Sequence, residues 1–410
     1  MANCQKYKNQ RSSVLSVLSV CYLFSFSHIT NAQEIRLLFA GDAMQHQTQI
    51  SNAFRKGEYD YSSYFKYVKD EISLSDLAIV NLEGPLGGKP YKGYPQFSIP
   101  DEFAFALKEA GFSVFLTANN HAVDCYSKGI NRTIDILDSL GVHHTGTFKN
   151  SLDRAQNYPL IIEKKGIKMA FLNYTYDTNG IMPAAPYMVN IIDTAIIKED
   201  ISKALRENPD VIITALHWGQ EYKLNQNKSQ EQLAGFLIEQ GVDLVIGSHP
   251  HVVQPSLIVA DSITNRKHLI VYSLGNFVSN MSAVNTDGGQ MISVKLRKNG
   301  GITQIESCGT ILFYTHKKRV NNKTDYTLIP VTFAERPMLY PNIEPVELDS
   351  IAYKKMLRFA NNARDLFLKH NIGINEYRFL KENPKEDNYF KYIPLKFDFW
   401  EQLFTFAPRK

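Results

Sequence analysis

The feature of this sequence that most restricts its fold is a regular alternation of short apolar runs with longer amphipathic runs. The alternation extends from residue 35 to about residue 275, and several of the short runs, such as 211–216, are apolar almost without interruption. A strand that is apolar on both faces belongs to a sheet that is covered on both sides. The pattern therefore predicts an α/β fold in which helices pack outside the sheets.

Hydrophobic periodicity places the individual elements of this region. The predicted strands are 35–40, 77–81, 112–117, 168–174, 211–216, 242–246 and 269–274. The predicted helices are 61–75, 102–110, 130–140, 194–206 and 230–240. Gly111, Gly141 and Gly241 each follow a predicted helix, where a left-handed residue commonly ends the helix.

The pattern changes after about residue 288. Residues 290–296 and 302–314 alternate as antiparallel strands do, and Asn299-Gly300-Gly301 between them predicts a hairpin turn. Residues 353–370 have helical spacing. We predict a main domain at 33–315 and a C-terminal extension of unknown role at 316–410.

Composition excludes several classes of protein. The chain has 410 residues, of which 44% are apolar and 21% charged, as in ordinary globular proteins. Lys plus Arg exceed Asp plus Glu by 45 − 41 = +4, and three of those positive charges lie in the first 32 residues. The rest of the chain is nearly neutral, which argues against nucleic acid as a partner and against a polybasic membrane contact.

The N-terminal residues have the order of a secretory signal peptide. Basic residues at positions 6, 8 and 11 precede the apolar run 14–26, and small residues end at Ala32. A membrane anchor is the alternative, but this run is shorter than the roughly 20 residues that span a bilayer. Lipid modification of Cys21 is a further alternative. We predict export to the periplasm or cell surface, with cleavage near Ala32.

Two cysteines, Cys125 and Cys308, lie beyond the predicted signal peptide. They could form a disulfide in an oxidising compartment, although sequence alone does not decide the pairing. We favour two unpaired structural thiols.

Polar residues that could bind a metal or take part in catalysis follow six of the predicted strands. These residues are Asp42, Asn81, Glu83, Asn120, His121, Asp124, His217, Glu221, His249, His251 and Asn276. In α/β folds, ligands bind beyond the carboxyl ends of the strands, so we expect these side chains to line one rim.

Each of these residues taken alone has a plainer interpretation. Asp42 could form a turn, Asn120 could cap a helix, and His217 could be a core histidine beside Trp218. Together they supply carboxylates, an amide and several imidazoles, which suit Mn, Fe or Zn, while no set of thiolates is present. Two ions bridged by a carboxylate would need about this number of ligands. The residues predict a paired-metal hydrolytic site.

The same residues form an ordered set of motifs between about residues 35 and 278. The motifs are Gly41-Asp42, Asn81-Leu82-Glu83, Ala118-Asn119-Asn120-His121-Ala122-Val123-Asp124, His217-Trp218-Gly219-Gln220-Glu221-Tyr222, Gly247-Ser248-His249-Pro250-His251-Val252-Val253-Gln254-Pro255 and Tyr272-Ser273-Leu274-Gly275-Asn276-Phe277. This set resembles the bacterial capsule-synthesis CapA family, which is associated with poly-γ-glutamate capsules and related to calcineurin-like metallophosphoesterases. The resemblance implies a four-layer α/β/β/α sandwich with a dinuclear metal centre.

The resemblance also implies a role for each residue. The implied metal ligands are Asp42, a bridging Glu83, the amide oxygen of Asn120, His217, His249 and His251. His121 would protonate the leaving group, with Asp124 orienting it. Apart from the resemblance, Glu221 could be a substitute ligand or a general acid, and Asn81, Tyr94 and Asn276 could contact the substrate or support the ligands.

The sequence departs from the general phosphoesterase pattern at two places. Met44 stands where those enzymes have the histidine of Asp-x-His, and Asn81-Leu82-Glu83 replaces Gly-Asp-x-x-Asp. The centre could therefore hold two ions, one or none.

Two hypotheses of function follow from these observations. In the first, the protein is a metal-dependent hydrolase or transferase of the cell envelope that acts on an anionic polymer or phosphoester. In the second, it is a non-catalytic assembly or export factor that holds a polyanion or docks a membrane-bound capsule synthase. Residues 89–97 could form a substrate loop, with Lys89 and Lys92 facing an acidic ligand, or a solvated surface turn.

Overall fold

The computed structural model describes residues 32–261, 264–320 and 323–377. Residues 1–31, which carry the predicted signal peptide, lie outside the described residues. None of the helices in the described ranges is long and apolar enough to cross a membrane.

The described residues contain nineteen strands. In chain order they are β1 (Gln33–Ala43), β2 (Phe54–Arg55), β3 (Glu58–Tyr59), β4 (Leu77–Leu82), β5 (Val114–Leu116), β6 (His143–Thr145), β7 (Thr147–Phe148), β8 (Leu160–Lys164), β9 (Ile167–Thr175), β10 (Met188–Val189), β11 (Val211–His217), β12 (Leu244–Ser248), β13 (Ser256–Ala260), β14 (Lys267–Val271), β15 (Asn276–Val278), β16 (Gly288–Asn299), β17 (Ile302–Val320), β18 (Lys323–Pro330) and β19 (Asn375–Glu376).

Nine α-helices connect or flank these strands in the same ranges. They are α1 (Gln47–Ala53), α2 (Lys69–Ser73), α3 (Asp101–Glu109), α4 (Tyr126–Leu140), α5 (Ser151–Asn157), α6 (Thr194–Arg206), α7 (Lys228–Glu239), α8 (Val331–Glu335) and α9 (Ser350–His370).

Most strands belong to two sheets. The first has the order β18-β17-β16-β1-β4-β5-β6, with β15 paired to β1 and β19 paired to β17. The second has the order β13-β14-β12-β11-β9-β8. In the first sheet β1, β4, β5 and β6 run parallel. In the second sheet β9, β11, β12 and β14 run parallel. In each sheet, the carboxyl ends of several parallel strands therefore lie side by side.

Each central strand divides its apolar side chains between two cores. In β1, Leu37 and Phe39 point into the core shared by the two sheets, whereas Leu38 and Ala40 point into the core beneath the helices. Because successive side chains of a strand point to opposite faces, a continuous apolar run is required when both faces are covered. Strand β9 divides its side chains between the shared core and the opposite outer core in the same way.

Helices cover the outer face of each sheet. Phe103 and Leu107 of α3 and Leu137 of α4 pack on the first sheet. Ile201 of α6 and Leu237 of α7 pack on the second. The layers are therefore helix, sheet, sheet and helix, and the predicted four-layer α/β/β/α sandwich is confirmed.

The predicted helix at 61–75 is largely wrong. Only Lys69–Ser73 is α-helical, although Tyr61, Tyr64 and Phe65 are buried as helical spacing would require. The preceding residues form tight turns instead, with the Tyr64 N–H donating to the Tyr61 carbonyl. Serine and aromatic residues dominate this segment, and both have modest helix propensity, so packing of the tyrosines decides its conformation.

The C-terminal described elements continue the first sheet. Strand β17 runs without a break from residue 302 to residue 320, and β18 and β19 pair with it. Helix α9 packs Met356 and Phe359 against Leu312 and Tyr314 of β17.

Both cysteines in the described ranges, Cys125 and Cys308, are free thiols, which confirms the favoured interpretation. Cys308 lies in the core between the sheets, where burial raises its pKa. A thiol in this environment is a packing residue.

One buried amide joins the two sheets next to the polar rim. The side-chain oxygen of Asn173 on β9 accepts hydrogen bonds from the backbone N–H groups of Thr117 (3.1 Å) and Ala118 (2.8 Å), which follow β5. Its side-chain nitrogen donates to the Ala215 carbonyl of β11. Asn173 therefore fixes the loop that carries Asn120 and His121 relative to the second sheet.

We expect Asn173→Ala to lower the free energy of unfolding by about 2 to 3 kcal/mol, because the Ala118 N–H loses its buried acceptor. Urea denaturation followed by circular dichroism measures this change. Asn157→Ala on the exposed end of α5 is the matched control and should change stability by less than about 0.5 kcal/mol. Equal stability of the two variants would contradict the proposed connection between the sheets.

Candidate metal centre

The carboxyl ends of the two sheets bring six of the predicted residues into two groups. In one group, ligand atoms of Asp42, Glu83 and His217 all lie within 4.8 Å of one another. In the other group, ligand atoms of Glu221, His249 and His251 satisfy the same limit. All six side chains except Glu221 are buried. The first group takes two ligands from the first sheet, whereas the second group comes entirely from the second sheet.

Asp42 is held by groups from both sheets. Asn81 donates to one carboxylate oxygen at 2.8 Å, and the His249 N–H donates to the other at 3.2 Å. The His251 Nδ1 lies 3.2 Å from that second oxygen. Burial alone would raise the pKa of Asp42, but its hydrogen bonds with His251 and Asn81 and its electrostatic interactions with the neighbouring histidines outweigh burial, and the pKa is lowered. Asp42 is therefore an ionised carboxylate.

A glycine places Asp42 at this point of β1. A Cβ atom on Gly41 would lie 1.9 Å from the carbonyl oxygen of Gly275, so no side chain fits there. The Asp42 N–H donates to that same carbonyl at 3.1 Å. The close approach of these two backbones, with an irregular register between Ala40 and Asp42, turns the carboxylate toward the second sheet.

Glu83 is the residue of the site whose burial is least offset by hydrogen bonds. It is fully buried, and neither carboxylate oxygen has a hydrogen-bond partner. The nearest imidazole nitrogens, on His217 and His251, lie 3.8 Å from one of its oxygens. Burial, together with the charge of Asp42, raises the pKa of Glu83 well above its ordinary value. A buried carboxylate without donors is costly unless a cation is present.

The histidines are suited to the same cation. Burial lowers the pKa of His217 well below its ordinary value and lowers that of His249 to about 3. Both rings are therefore neutral at pH 7, which is the form that binds metals. The Nδ1 atom of His249 is buried without a hydrogen-bond partner. These unpaired atoms and the mixture of carboxylate and imidazole fit divalent ions.

Asparagine side chains connect the first group to the neighbouring loop. The side-chain oxygen of Asn120, which the resemblance makes a metal ligand, lies 2.9 Å from Nε2 of His217. Asn119 donates to the Leu82 carbonyl at 2.8 Å and accepts from the His121 N–H at 3.2 Å. This network fixes the loop after β5 against the end of β4.

The backbone is strained at three residues around the second group. The φ angles of His249, His251 and Tyr222 are 100°, 58° and 65°. A bulky residue in the left-handed region costs on the order of 1 to 2 kcal/mol and persists only when its surroundings require it. Such strain is typical of functional sites.

A histidine–carboxylate pair lies beside the two groups. Nδ1 of His121 is 2.8 Å from the Asp124 carboxylate, and the Phe97 N–H donates to the same oxygen at 2.7 Å. The Phe97 ring packs edge-on against His121, with centroids 4.6 Å apart. Because Asp124 accepts at Nδ1, Nε2 of His121 is the nitrogen available for proton transfer.

Three of the residues discussed from the sequence, Asn276, Met44 and Tyr94, belong to neither ligand group, although Asn276 pairs with Asp42 between strands β15 and β1. The Asn276 side chain is buried and donates to the Thr286 carbonyl. Met44 is buried in the core beneath the helices and supplies no ligand. Tyr94 is 71% exposed, and its ring centroid is 6.5 Å from that of His121.

Sequence reasoning missed several neighbours of the site. Tyr176 follows β9, and its ring lies 4.6 Å from that of His249. Asn179 contacts Asn120 and His121, each at 3.4 Å. Both follow the carboxyl end of β9, so the rule that identified the other strand ends would have found them. His46, whose pKa burial lowers to about 4, packs against Phe97.

Comparisons with known proteins agree with the motif order. The sequence model described as "Bacterial capsule synthesis protein PGA_cap" matches residues 36–281. "Capsule biosynthesis protein CapA" of Bacillus anthracis is 28% identical over 281 residues, which is 65% of this chain and 65% of the relative. "PGA biosynthesis protein CapA" of Bacillus subtilis (strain 168) is 29% identical over 283 residues, which is 64% of this chain and 68% of the relative.

The chain therefore spans just under two thirds of the Bacillus anthracis relative's length. Among solved structures, the calcineurin-like phosphoesterase YfkN of Bacillus subtilis aligns with 82% of this chain and 98% of its own, at 12% identity and a TM-score of 0.41.

We expect metal-free Glu83→Gln to be more stable than metal-free wild type at pH 8, by about 2 kcal/mol, because the substitution removes an uncompensated buried charge. The difference should shrink toward pH 5. The raised pKa of Glu83 in the folded state means that the wild type loses stability as pH rises above the unfolded-state value and regains it as pH falls.

Urea denaturation in the presence of a chelator measures this difference at both pH values. Glu109→Gln, at the exposed end of α3, is the control and should leave stability unchanged. A Glu83→Gln variant that is less stable than wild type at pH 8 would show that the carboxylate is compensated within the protein.

Proposed function

Because the chain belongs to the bacterial capsule synthesis protein family, we propose that it is a metal-dependent hydrolase or transferase of capsule biosynthesis. Its substrate would be an anionic polymer or a phosphoester. The observation that carries this proposal is the fully buried Glu83 carboxylate, which has no hydrogen-bond donor and lies beside the neutral imidazole of His217.

The two groups of side chains would hold one divalent ion each. Asp42, Glu83 and His217 would bind the first, and Glu221, His249 and His251 the second. Mn, Fe or Zn suits this donor set. When bound, such ions polarise a scissile oxygen and lower the pKa of a water molecule.

His121 is the group that would protonate the leaving oxygen. Its Nδ1 faces Asp124, which fixes the orientation of the ring and leaves Nε2 to carry the proton. The Phe97 N–H fixes Asp124 in turn, and the Phe97 ring limits rotation of the imidazole. His121 is thus positioned by the loop 89–97 as well as by its own strand end.

The setting of the reaction is part of the proposal. Export through the predicted N-terminal signal would place the domain in the periplasm or at the cell surface, where capsule polymers are assembled. A membrane-bound capsule synthase would then be a partner that delivers the polymer.

The position of Met44 favours a second candidate function. This side chain is buried in the core and leaves the first group without the ligand that Asp-x-His enzymes have there. A centre with fewer ligands could bind a polyanion without turning it over. The protein would then be a non-catalytic assembly or export factor.

We expect purified wild-type protein to contain one to two divalent ions per chain and the His249→Ala/His251→Ala variant to lose about half of them or more. Inductively coupled plasma mass spectrometry measures the content. His143→Ala, an exposed histidine on β6, is the control and should keep the wild-type content. No metal in the wild type after loading with Mn or Zn would remove the hydrolase proposal.

We expect His121→Ala to lower kcat by about 10² to 10⁴ for a model phosphodiester such as bis-p-nitrophenyl phosphate, because the general acid is lost. Its metal content should equal that of the wild type, since His121 belongs to neither ligand group. The same variant distinguishes the two functions in cells. Capsule production that survives His121→Ala with the protein folded would support the assembly factor.

A further inference from the structure

Three exposed tyrosines surround the candidate metal centre. Tyr94 is 71%, Tyr222 49% and Tyr176 41% exposed. Each lies close to a different histidine of the site, with ring-centroid distances of 6.5 Å from Tyr94 to His121, 6.3 Å from Tyr222 to His251 and 4.6 Å from Tyr176 to His249. We refer to these three side chains as the tyrosine rim.

Burial of its side chain does not explain the conformation of Tyr222 in the rim. Tyr222 keeps a left-handed backbone, at φ 65°, while about half of its side chain remains in solvent. Its N–H donates to the Pro250 carbonyl between the two histidines of the second group. Strain at a large residue that gains little burial is expected where the side chain contacts a ligand.

An open groove of about 690 Å³ continues the aromatic surface away from the centre. Phe54, Tyr59 and Tyr91 line it, and their rings form a contiguous series with centroids 5.0 and 5.3 Å apart. Gln47 and Ser51 also line it, and Lys89 is the one charged residue among its lining side chains.

A single loop links the groove to the rim. Residues 89–97 place Lys89 and Tyr91 in the groove, Tyr94 at the rim and Phe97 against His121. The Gly93 N–H donates to the side chain of Gln47, so the middle of the loop is attached to the groove wall. A linear ligand could therefore contact the groove, the rim and the metal centre in sequence.

The side chains of this surface suit a ligand made of sugar rings better than a ligand with a charge on every residue. A γ-linked glutamate chain has one carboxylate per residue and no ring face, so it would need a row of cations. The groove offers Lys89 alone, Lys92 of the loop and Lys223 beside Tyr222 are two further separate lysines, and Glu221 at the rim adds negative charge, so no row of cations is present there among the described residues. Tyrosine instead provides a flat apolar face with a polar end, which matches the C–H face and hydroxyl groups of a pyranose ring.

We propose that the tyrosine rim and the groove bind sugar rings, and that the substrate of the centre is a saccharide chain rather than poly-γ-glutamate. This inference rests on the proposed function, because it assigns the substrate class of the same centre. The metal ions would face the phosphoester or anionic group of the chain, while the rim and groove would contact its rings.

The test is binding of full-length protein to an immobilised panel of acidic and neutral bacterial oligosaccharides, with γ-linked glutamate decamers on the same surface. We expect saccharide binding that weakens roughly fivefold in Tyr94→Ala and in Tyr91→Ala, as expected for loss of one ring contact. Tyr94→Phe keeps the ring face and should bind within about twofold of wild type. Tyr353→Ala, an exposed tyrosine on α9, is the matched control and should bind as wild type.

Binding of the glutamate decamers alone would overturn the inference, and so would the absence of saccharide binding or saccharide binding that is unchanged by Tyr94→Ala and Tyr91→Ala. These results are separable from the fate of the enzyme proposal. Saccharide binding through the rim without hydrolysis of any substrate would contradict the proposed enzymatic function and support the inference of a saccharide ligand. Hydrolysis of γ-linked glutamate with no saccharide binding would support the enzymatic function and contradict the inference of a saccharide ligand.

Discussion

The site depends on the burial of one carboxylate that the protein itself does not compensate. Among the described residues no hydrogen-bond donor contacts either carboxylate oxygen of Glu83, while nearby Asp42 is well supplied with hydrogen bonds. Removing an isolated ion from water costs several kcal/mol, so a fold keeps such a carboxylate only when a proton or a metal cation neutralises it. The unpartnered Nδ1 of His249 and the strained backbone at His249 and His251 fit a cation at the same place.

The first ligand group requires both sheets, whereas the second group comes entirely from the second sheet. Asp42 and Glu83 end strands of the first sheet, and the histidines end strands of the second. The shared core sets the distance between the sheets, and Asn173 fixes it locally beside the loop that carries His121. The distances between side chains at the junction of the two sheets are therefore set by the apolar packing beneath them. In this way the hydrophobic core positions the candidate ligands.

The sequence predicts the parts of this arrangement that depend on local pattern. Continuous apolar strands require cover on both faces, and polar residues that follow them must share a rim, so Asp42, Glu83 and the histidines could be found in advance. Contacts between distant segments could not. Nothing near Asn173 indicates that its amide accepts from Thr117 and Ala118, and the spacing of Tyr61, Tyr64 and Phe65 indicates a helix that tertiary packing replaces with turns. Edge strands such as β8 and β13 are short and carry little periodicity, so pairing partners alone define them.

Met44 and Glu221 contribute differently to the site, and the two positions are best considered together. Met44 lies in the outer core, so the position two residues after Asp42 stabilises the fold and supplies no ligand. Glu221 stands in the loop after β11, with its carboxylate within 4.8 Å of both His249 and His251. Glu221 therefore gives the second group a carboxylate that comes, like its two histidines, from the second sheet, and it adds negative charge there. Tyr222, the neighbour of Glu221, is half exposed and its ring centroid lies 6.3 Å from that of His251, so one loop places both a candidate ligand and an exposed ring at the centre.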